Sequence, residues 1–119
     1  MAQHNDLGRK GEELAKHFLE ASGYEILDEN WVFGRVEIDL IAYLNREIIF
    51  VEVKTRSSTG YGFPEDFVDK AKKRHMSDAA EAYIEIMNHE GEVRFDIISV
   101  LFNQNNYKIN HIEDAFWPV

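Results

Sequence analysis

Asp39, Glu52 and Lys54 are charged residues set in two apolar runs, Val36-Glu-Ile-Asp-Leu-Ile-Ala and Ile48-Ile-Phe-Val-Glu-Val-Lys-Thr-Arg. A carboxylate or ammonium isolated inside a strand costs several kcal/mol, so each must be paired, hydrated or bound to a metal. If the two runs are neighbouring strands, Asp39 and Glu52 can bring oxygen ligands to one point. A hard cation such as Mg²⁺ accepts two carboxylates, with water and a substrate phosphate completing its shell. It would act as a Lewis acid on a phosphoryl oxygen and lower the pKa of water. Lys54, two residues beyond Glu52 and therefore on the same strand face, could orient that water or stabilise the developing negative charge. Spacing alone is a weak signal, because a distant acid followed by Glu-x-Lys recurs by chance. It equally describes a structural ion pair at a strand end.

The elements that must position these residues follow from periodicity. A helix is expected from about Asn5 to Ser22, with Asn5 or Asp6 as N-cap and Gly23 as its stop. On a helical wheel Leu7, Gly11, Leu14, Phe18 and Ala21 form its core stripe, widened by Gly8, Ala15 and Leu19. Glu12 falls on this packed side, whereas Glu13 falls with Arg9, Lys16 and Glu20 on the polar side. Tyr24–Trp31 reads as a strand near an edge, and Phe33-Gly34-Arg35 as a turn. In the Val36 run, strict alternation sends Glu37, Asp39 and Ile41 one way and Val36, Ile38 and Leu40 the other. Leu44-Asn-Arg-Glu47 is a short hairpin connection into Ile48–Thr55, where Glu52 and Lys54 share a face with Ile48 and Phe50.

A turn-rich loop from Arg56 to Phe63 leads to a second helix, opened by Pro64 with Glu65 and Asp66 and ending at Met87 or Asn88. Its expected stripe is Val68, Ala71, His75, Ala79, Ala82 and Ile86, flanked by Lys72 and Met76, with Lys70, Lys73 and Arg74 outward. Asn88-His-Glu-Gly is a break, Glu92–Phe102 a strand, Asn103-Gln-Asn-Asn a turn and Tyr107–Ile112 a last strand. Ala115-Phe-Trp-Pro-Val is apolar enough to pack back on the domain. The order α-β-β-β-α-β-β suits an α/β architecture, a mixed sheet flanked by helices.

At 119 residues without a repeat, linker or low-complexity segment, residues 1–119 are expected to form one domain. There is no cysteine for a disulfide or thiolate metal site. No secretory pattern opens the chain and no run approaches the ~20 apolar residues that span a bilayer, so no membrane partner is expected and a cytoplasmic location is the default. The net charge of −9 opposes non-specific binding to phosphates, so a nucleic-acid partner requires a local basic surface. Arg56, Lys70, Lys72, Lys73 and Arg74 could supply it; otherwise Lys72 is a flank of the core stripe and the others a solvated face. His75 is expected to be buried and hydrogen-bonded. His4, His17, His89 and His111 show no metal spacing, and no phosphate loop or serine or cysteine nucleophile motif is present.

The chain resembles the YraN family of endonucleases, in the PD-(D/E)xK restriction-endonuclease-like superfamily to which Holliday junction resolvases are related. Gly8-Arg-Lys-Gly-Glu-Glu-Leu-Ala, Gly23-Tyr-Glu-Ile-Leu, Glu37-Ile-Asp-Leu-Ile-Ala, Phe50-Val-Glu-Val-Lys-Thr-Arg, Lys72 and Arg94-Phe-Asp carry the resemblance across nearly the whole chain. It implies a restriction-endonuclease-like αβββαβ core. Asp39, Glu52 and Lys54 would be the signature and Glu12 the helix acid, with Mg²⁺ or Mn²⁺ held by Asp39, Glu52 and Glu12. The implied activity is DNA hydrolysis, on branched or damaged DNA among the substrates, with a homodimer as one way to cut two strands. One departure is Val36, where the family usually has glycine; it bears on Glu37, which reads better as a supporting or solvent-facing residue than as a ligand. The competing reading is a nuclease fold that binds nucleic acid or a protein without cutting. A hydrolase of smaller phosphate compounds is a third.

Overall fold

A computed structural model describes residues 2–57 and 70–117, with side chains from residue 6 onward. Helix α1 (Ala2–Ala21) leads into strands β1 (Glu25–Phe33), β2 (Val36–Leu44) and β3 (Glu47–Arg56). Helix α2 (Lys70–Met87) and strands β4 (Val93–Asn103) and β5 (Asn106–Ile112) complete the chain in the expected order. The strands form one sheet in the order β1-β2-β3-β4-β5. Every pairing is antiparallel except β3–β4, which is parallel and is bridged by the α2 crossover. This is the mixed sheet of a restriction-endonuclease-like αβββαβ core, with β5 added at one edge.

Helices cover both faces. Ile49, Val51 and Val53 pack with Ala15 and Leu19 of α1, while Ile48 and Phe50 pack with Met76, Ala79, Ala80 and Tyr83 of α2. Buried on both sides from Ile48 to Val53, β3 is apolar at each of those positions but Glu52, which is why its sequence does not alternate there.

Both helices are rotated from the expected stripes. Gly11, Ala15 and Leu19 are the buried line of α1; Leu14 and Phe18 are half-buried and Ala21 is exposed. Small residues define this line because the helix backbone lies close to β3: a Cβ on Gly11 would stand 2.1 Å from Thr55 Oγ1. Helix α1 already runs from Ala2, so Asn5 and Asp6 lie inside it rather than at its cap, and Asp6 pairs with Arg9 at 2.8 Å. Its end is as expected: Gly23 has φ +96°, the Gly23 N–H donates to Glu20 O and the Tyr24 N–H to Leu19 O.

The line through Met76, Ala79, Ala80 and Tyr83 is the buried face of α2, while His75 is exposed and Ile86 is 68% exposed. His75 is therefore not the buried histidine expected. Tyr83 enters the core because its hydroxyl donates to Asp28 Oδ2 at 2.7 Å, a partner no wheel can anticipate. The expected start at Pro64, Glu65 and Asp66, with Val68 and the loop from 58 to 63, lies outside the described residues.

The hairpin at Asn45 and Arg46 is the expected tight turn, with φ +52° and +68°. At the C-terminal end, Ala115 N–H donates to Phe95 O at 2.7 Å and Phe116 is buried. Fully buried Asp96 anchors this return. It accepts from Arg94 Nε and Nη2 at 2.9 and 2.8 Å and from the Asp114 N–H at 2.9 Å, with His111 Nε2 at 2.7 Å. Burial works to raise its pKa, but the bonds from His111, Arg94 and Asp114 together hold the carboxyl below its ordinary value. Among the described residues no helix is long and apolar enough to cross a membrane.

Candidate active site

Asp39 lies where β2 parts from β3, at the level of Glu52 and Val53. The β2–β3 ladder runs from Leu44↔Glu47 to Leu40↔Val51 and stops there. At the next position Asp39 Oδ2 accepts the Val53 N–H at 2.8 Å, so a side chain takes over from the ladder. Beyond it, β2 stays paired with β1 alone, through Ile38, Glu37 and Val36.

The alternation expected for β2 breaks at this same position. Ile38 and Ile41 both lie in the core on the α2 side, whereas Leu40 and Ala42 lie in the core under α1. Asp39 is the extra residue that inverts the phase, so Leu40 does not share a face with Val36 and Ile38. Its counterpart across the β1–β2 pair is Asn30, flanked by Glu29↔Leu40 and Trp31↔Ile38, with φ +51°. The positive φ of Asn30 marks irregular backbone opposite Asp39, while the register shift of this strand pair lies between Ile26 and Asp28.

Glu52 is 4% exposed and lies on the α2 face of β3. Lys54 Nζ stands 3.3 Å from its Oε2, and Lys72 Nζ hydrogen-bonds the same oxygen. Two ammonium groups thus compensate one buried carboxylate. Lys72 reaches it because it precedes Met76 by one turn on the true buried line of α2.

Glu12 comes from α1, brought to the end of β3 by the close approach at Gly11 and Thr55. The Asn30 side chain lies close enough to work against the rise in its pKa. Glu37 is exposed. The acids act on one another. Burial first, and then the charge of Glu52, push Asp39 up to about 7, with the Val53 N–H pulling the other way. Burial and the charge of Glu37, with Glu52 contributing less, raise Glu12. In the conformation described, Glu52 is directed at the two lysines and Asp39 at a backbone amide, while Glu12 lies near Asn30. Among the described residues no three His, Cys, Asp or Glu side chains are grouped to hold a metal ion.

The expected basic surface divides. Arg56 at the end of β3, and Lys70 and Arg74 on α2, are exposed. Lys72 turns to Glu52, and Lys73 lies 5.7 Å from the centre of the Phe116 ring. Lys73 therefore leans over the C-terminal return instead of facing fully outward.

Arg35, Val36, Glu37, Asp39, Lys72 and His75 line a cavity of about 360 Å³. The roles of Arg35, His75 and Asn30 beside the acids have no signal in the sequence, since they depend on the hairpin and on the rotation of α2. A larger cavity of about 690 Å³, lined in part by Tyr43, Arg46 and His89, holds none of the candidate acids.

The family described as "Uncharacterised protein family UPF0102" matches residues 11–100, a span that includes Glu12, Asp39, Glu52, Lys54 and Lys72. The chain is 47% identical over 117 residues to UPF0102 protein FP2501 of Flavobacterium psychrophilum, covering 98% of each chain. It is 44% identical over 118 residues to a UPF0102 protein of Bacteroides thetaiotaomicron, covering 99% of this chain and 98% of that one. A UPF0102 protein of Parabacteroides distasonis is 44% identical over 117 residues, 98% of this chain and 97% of its own. With matches of this extent, the chain belongs to the UPF0102 family, the YraN-like family that its strand acids resemble.

Proposed function

We propose that this protein is a metal-dependent endonuclease that hydrolyses phosphodiester bonds in DNA, branched or damaged DNA included. The observation that carries the reading is the parting of β2 and β3, with Asp39 at the last rung and Glu52 buried beside it. A carboxylate lifted to about 7 by burial and a second acid is a poor structural choice and a common one at reaction centres. The donor set also suits a hard divalent cation, because all its members are carboxylates that repel one another.

Asp39 and Glu52 would hold Mg²⁺ or Mn²⁺, with Glu12 contributing from α1. Bound there, the cation would supply Lewis-acid polarisation of a phosphoryl oxygen and favour ionisation of water. Lys54 keeps its ammonium at the rim of the site, where it stabilises negative charge developing on the phosphate. Glu12, its pKa raised, takes up a proton more readily than an ordinary glutamate. Arg56, Lys70 and Arg74 offer exposed charge to the DNA backbone in a chain that is otherwise acidic.

A second reading, a fold that binds nucleic acid without cutting it, draws on the pairing of Glu52 with both Lys54 and Lys72. Linear, flapped and four-way DNA incubated with Mg²⁺ or Mn²⁺ separates the two. Cleavage lost in Asp39→Asn and Lys54→Ala while binding persists supports the nuclease. Retarded DNA with no cleavage in either metal supports the binding module and removes the nuclease.

A further inference from the structure

The β1–β2 hairpin continues past the point where β2 leaves β3, and its tip holds apolar side chains in water. Val32 is 60% and Phe33 43% exposed. The Phe33 ring stacks on Trp31, with centroids 6.1 Å apart and planes 10° apart, and Trp31 meets Tyr83 edge-on at 5.1 Å. Tyr83 is in turn buried in α2 and bonded to Asp28. With one side of its ring on Trp31, Phe33 presents its other side to solvent.

This ring stands next to the candidate site. Phe33 pairs with Val36, which lines the cavity with Arg35, Asp39 and Lys72. Val36 precedes Asp39 by three residues, about 10 Å along a strand. Arg35, exposed in the hairpin turn between Phe33 and Val36, supplies a cation at the mouth of that cavity, which Glu37, Asp39 and Lys72 also line.

We propose that Phe33 is a stacking platform for an unpaired nucleobase, so that the preferred substrate is DNA with single-stranded nucleotides beside the cut. The inference rests on the nuclease reading of the same site and names its substrate class. A fully paired duplex keeps its bases stacked on one another, whereas a flap, gap or branch offers a free π-face to the ring. An exposed cation beside an exposed aromatic, here Arg35 beside Phe33, is a combination that holds single strands, phosphate on the charge and base on the ring. A hydrophobic protein partner would gain little from two apolar side chains.

The test uses the full chain and two oligonucleotides, one flapped and one fully paired, each carrying 2-aminopurine, titrated in EDTA at low salt. Wild type is expected to quench the fluorophore in the flap and to bind flapped DNA about 5- to 100-fold more tightly than duplex. Phe33→Ala should reduce flap binding to the duplex level and leave duplex binding unchanged, and Phe33→Trp should keep the preference. Val32→Ser, on the opposite face of the strand, should alter neither. An unchanged flap-to-duplex ratio in Phe33→Ala, or an equal loss on both DNAs, overturns the platform. Cleavage of the same oligonucleotides in Mg²⁺ separates the two claims. Cutting that ignores Phe33 removes the platform and leaves the nuclease; a Phe33-dependent preference without cutting removes the nuclease and leaves the platform.

Discussion

Replacing Asp39 with asparagine is expected to make the protein more stable in EDTA while removing the proposed cation site. The carboxyl stands at about 7 in the fold against an ordinary 3.8, lifted by burial and by Glu52. A raised acid leaves the fold unpenalised below pH 3.8; stability is then lost as pH climbs, because the unfolded chain gives up the proton first. At 1.36 kcal/mol per pH unit, the penalty approaches about 4 kcal/mol by pH 8 and is about 2 kcal/mol at pH 5. Relaxation and water at a partly exposed group make these upper bounds. Asparagine keeps an oxygen for the Val53 N–H and carries no charge toward Glu52. The gain from Asp39→Asn should therefore be about 1–3 kcal/mol at pH 8, and smaller by roughly 2 kcal/mol or less at pH 5. Urea unfolding of both proteins at the two pH values measures this double difference. Added Mg²⁺ should then stabilise wild type alone, by mass action. A gain equal at both pH values, or a loss at pH 8, would refute the argument that Asp39 is an acid held against its electrostatic preference.

Metal affinity should climb with pH toward about 7 and level off above it, because the Asp39 proton must leave before a cation can bind; calorimetry giving one affinity from pH 5.5 to 8 would count against Asp39 as a ligand. Gly11→Ala should destabilise the protein by about 1–3 kcal/mol despite the better helix propensity of alanine, because its methyl meets Thr55 Oγ1. Adding Thr55→Ala should recover part of that loss in a double-mutant cycle on urea midpoints, and strict additivity would sink the close-approach account. Asp96→Ala should lower stability by about 3–5 kcal/mol, leaving the Arg94 charge and the Asp114 N–H without their main acceptor. Amide exchange at Ala115 should accelerate at the same time, and unchanged protection there would show that Asp96 does not hold the C-terminal return.

The element order, the mixed sheet, the turns at Gly34, Asn45 and Gln104 and the Gly23 stop were legible in the sequence, because each follows from local rules. Turn residues set φ, Gly23 ends α1, and an apolar run without alternation must be buried on both faces. The same rules singled out Asp39, Glu52 and Lys54, since charge inside such runs demands an explanation. Periodicity failed where tertiary contact changed what a residue could tolerate. The wheel puts Leu14, Phe18 and Ala21 ahead of Ala15 and Leu19, yet the helix touches the sheet along Gly11, Ala15 and Leu19. It ranks His75 and Ile86 above Tyr83, yet a single hydrogen bond donated by its hydroxyl to Asp28 admits the tyrosine. The phase inversion at Asp39 was equally hidden, because period-two counting assumes an unbroken ladder and the β2–β3 ladder stops at Leu40↔Val51.

What the sequence determined by itself was which residues must be accounted for; which partners account for them was decided only by the fold. Glu52 finds Lys72 across the crossover, Asp39 finds the Val53 amide across an interrupted ladder, and Asp96 finds Arg94, His111 and Asp114 near the C-terminal return. Burial of a charge is a local fact that a hydrophobic run reveals. Its compensation is a long-range one, made by side chains whose proximity exists only once helix rotation, strand register and bulge are all in place.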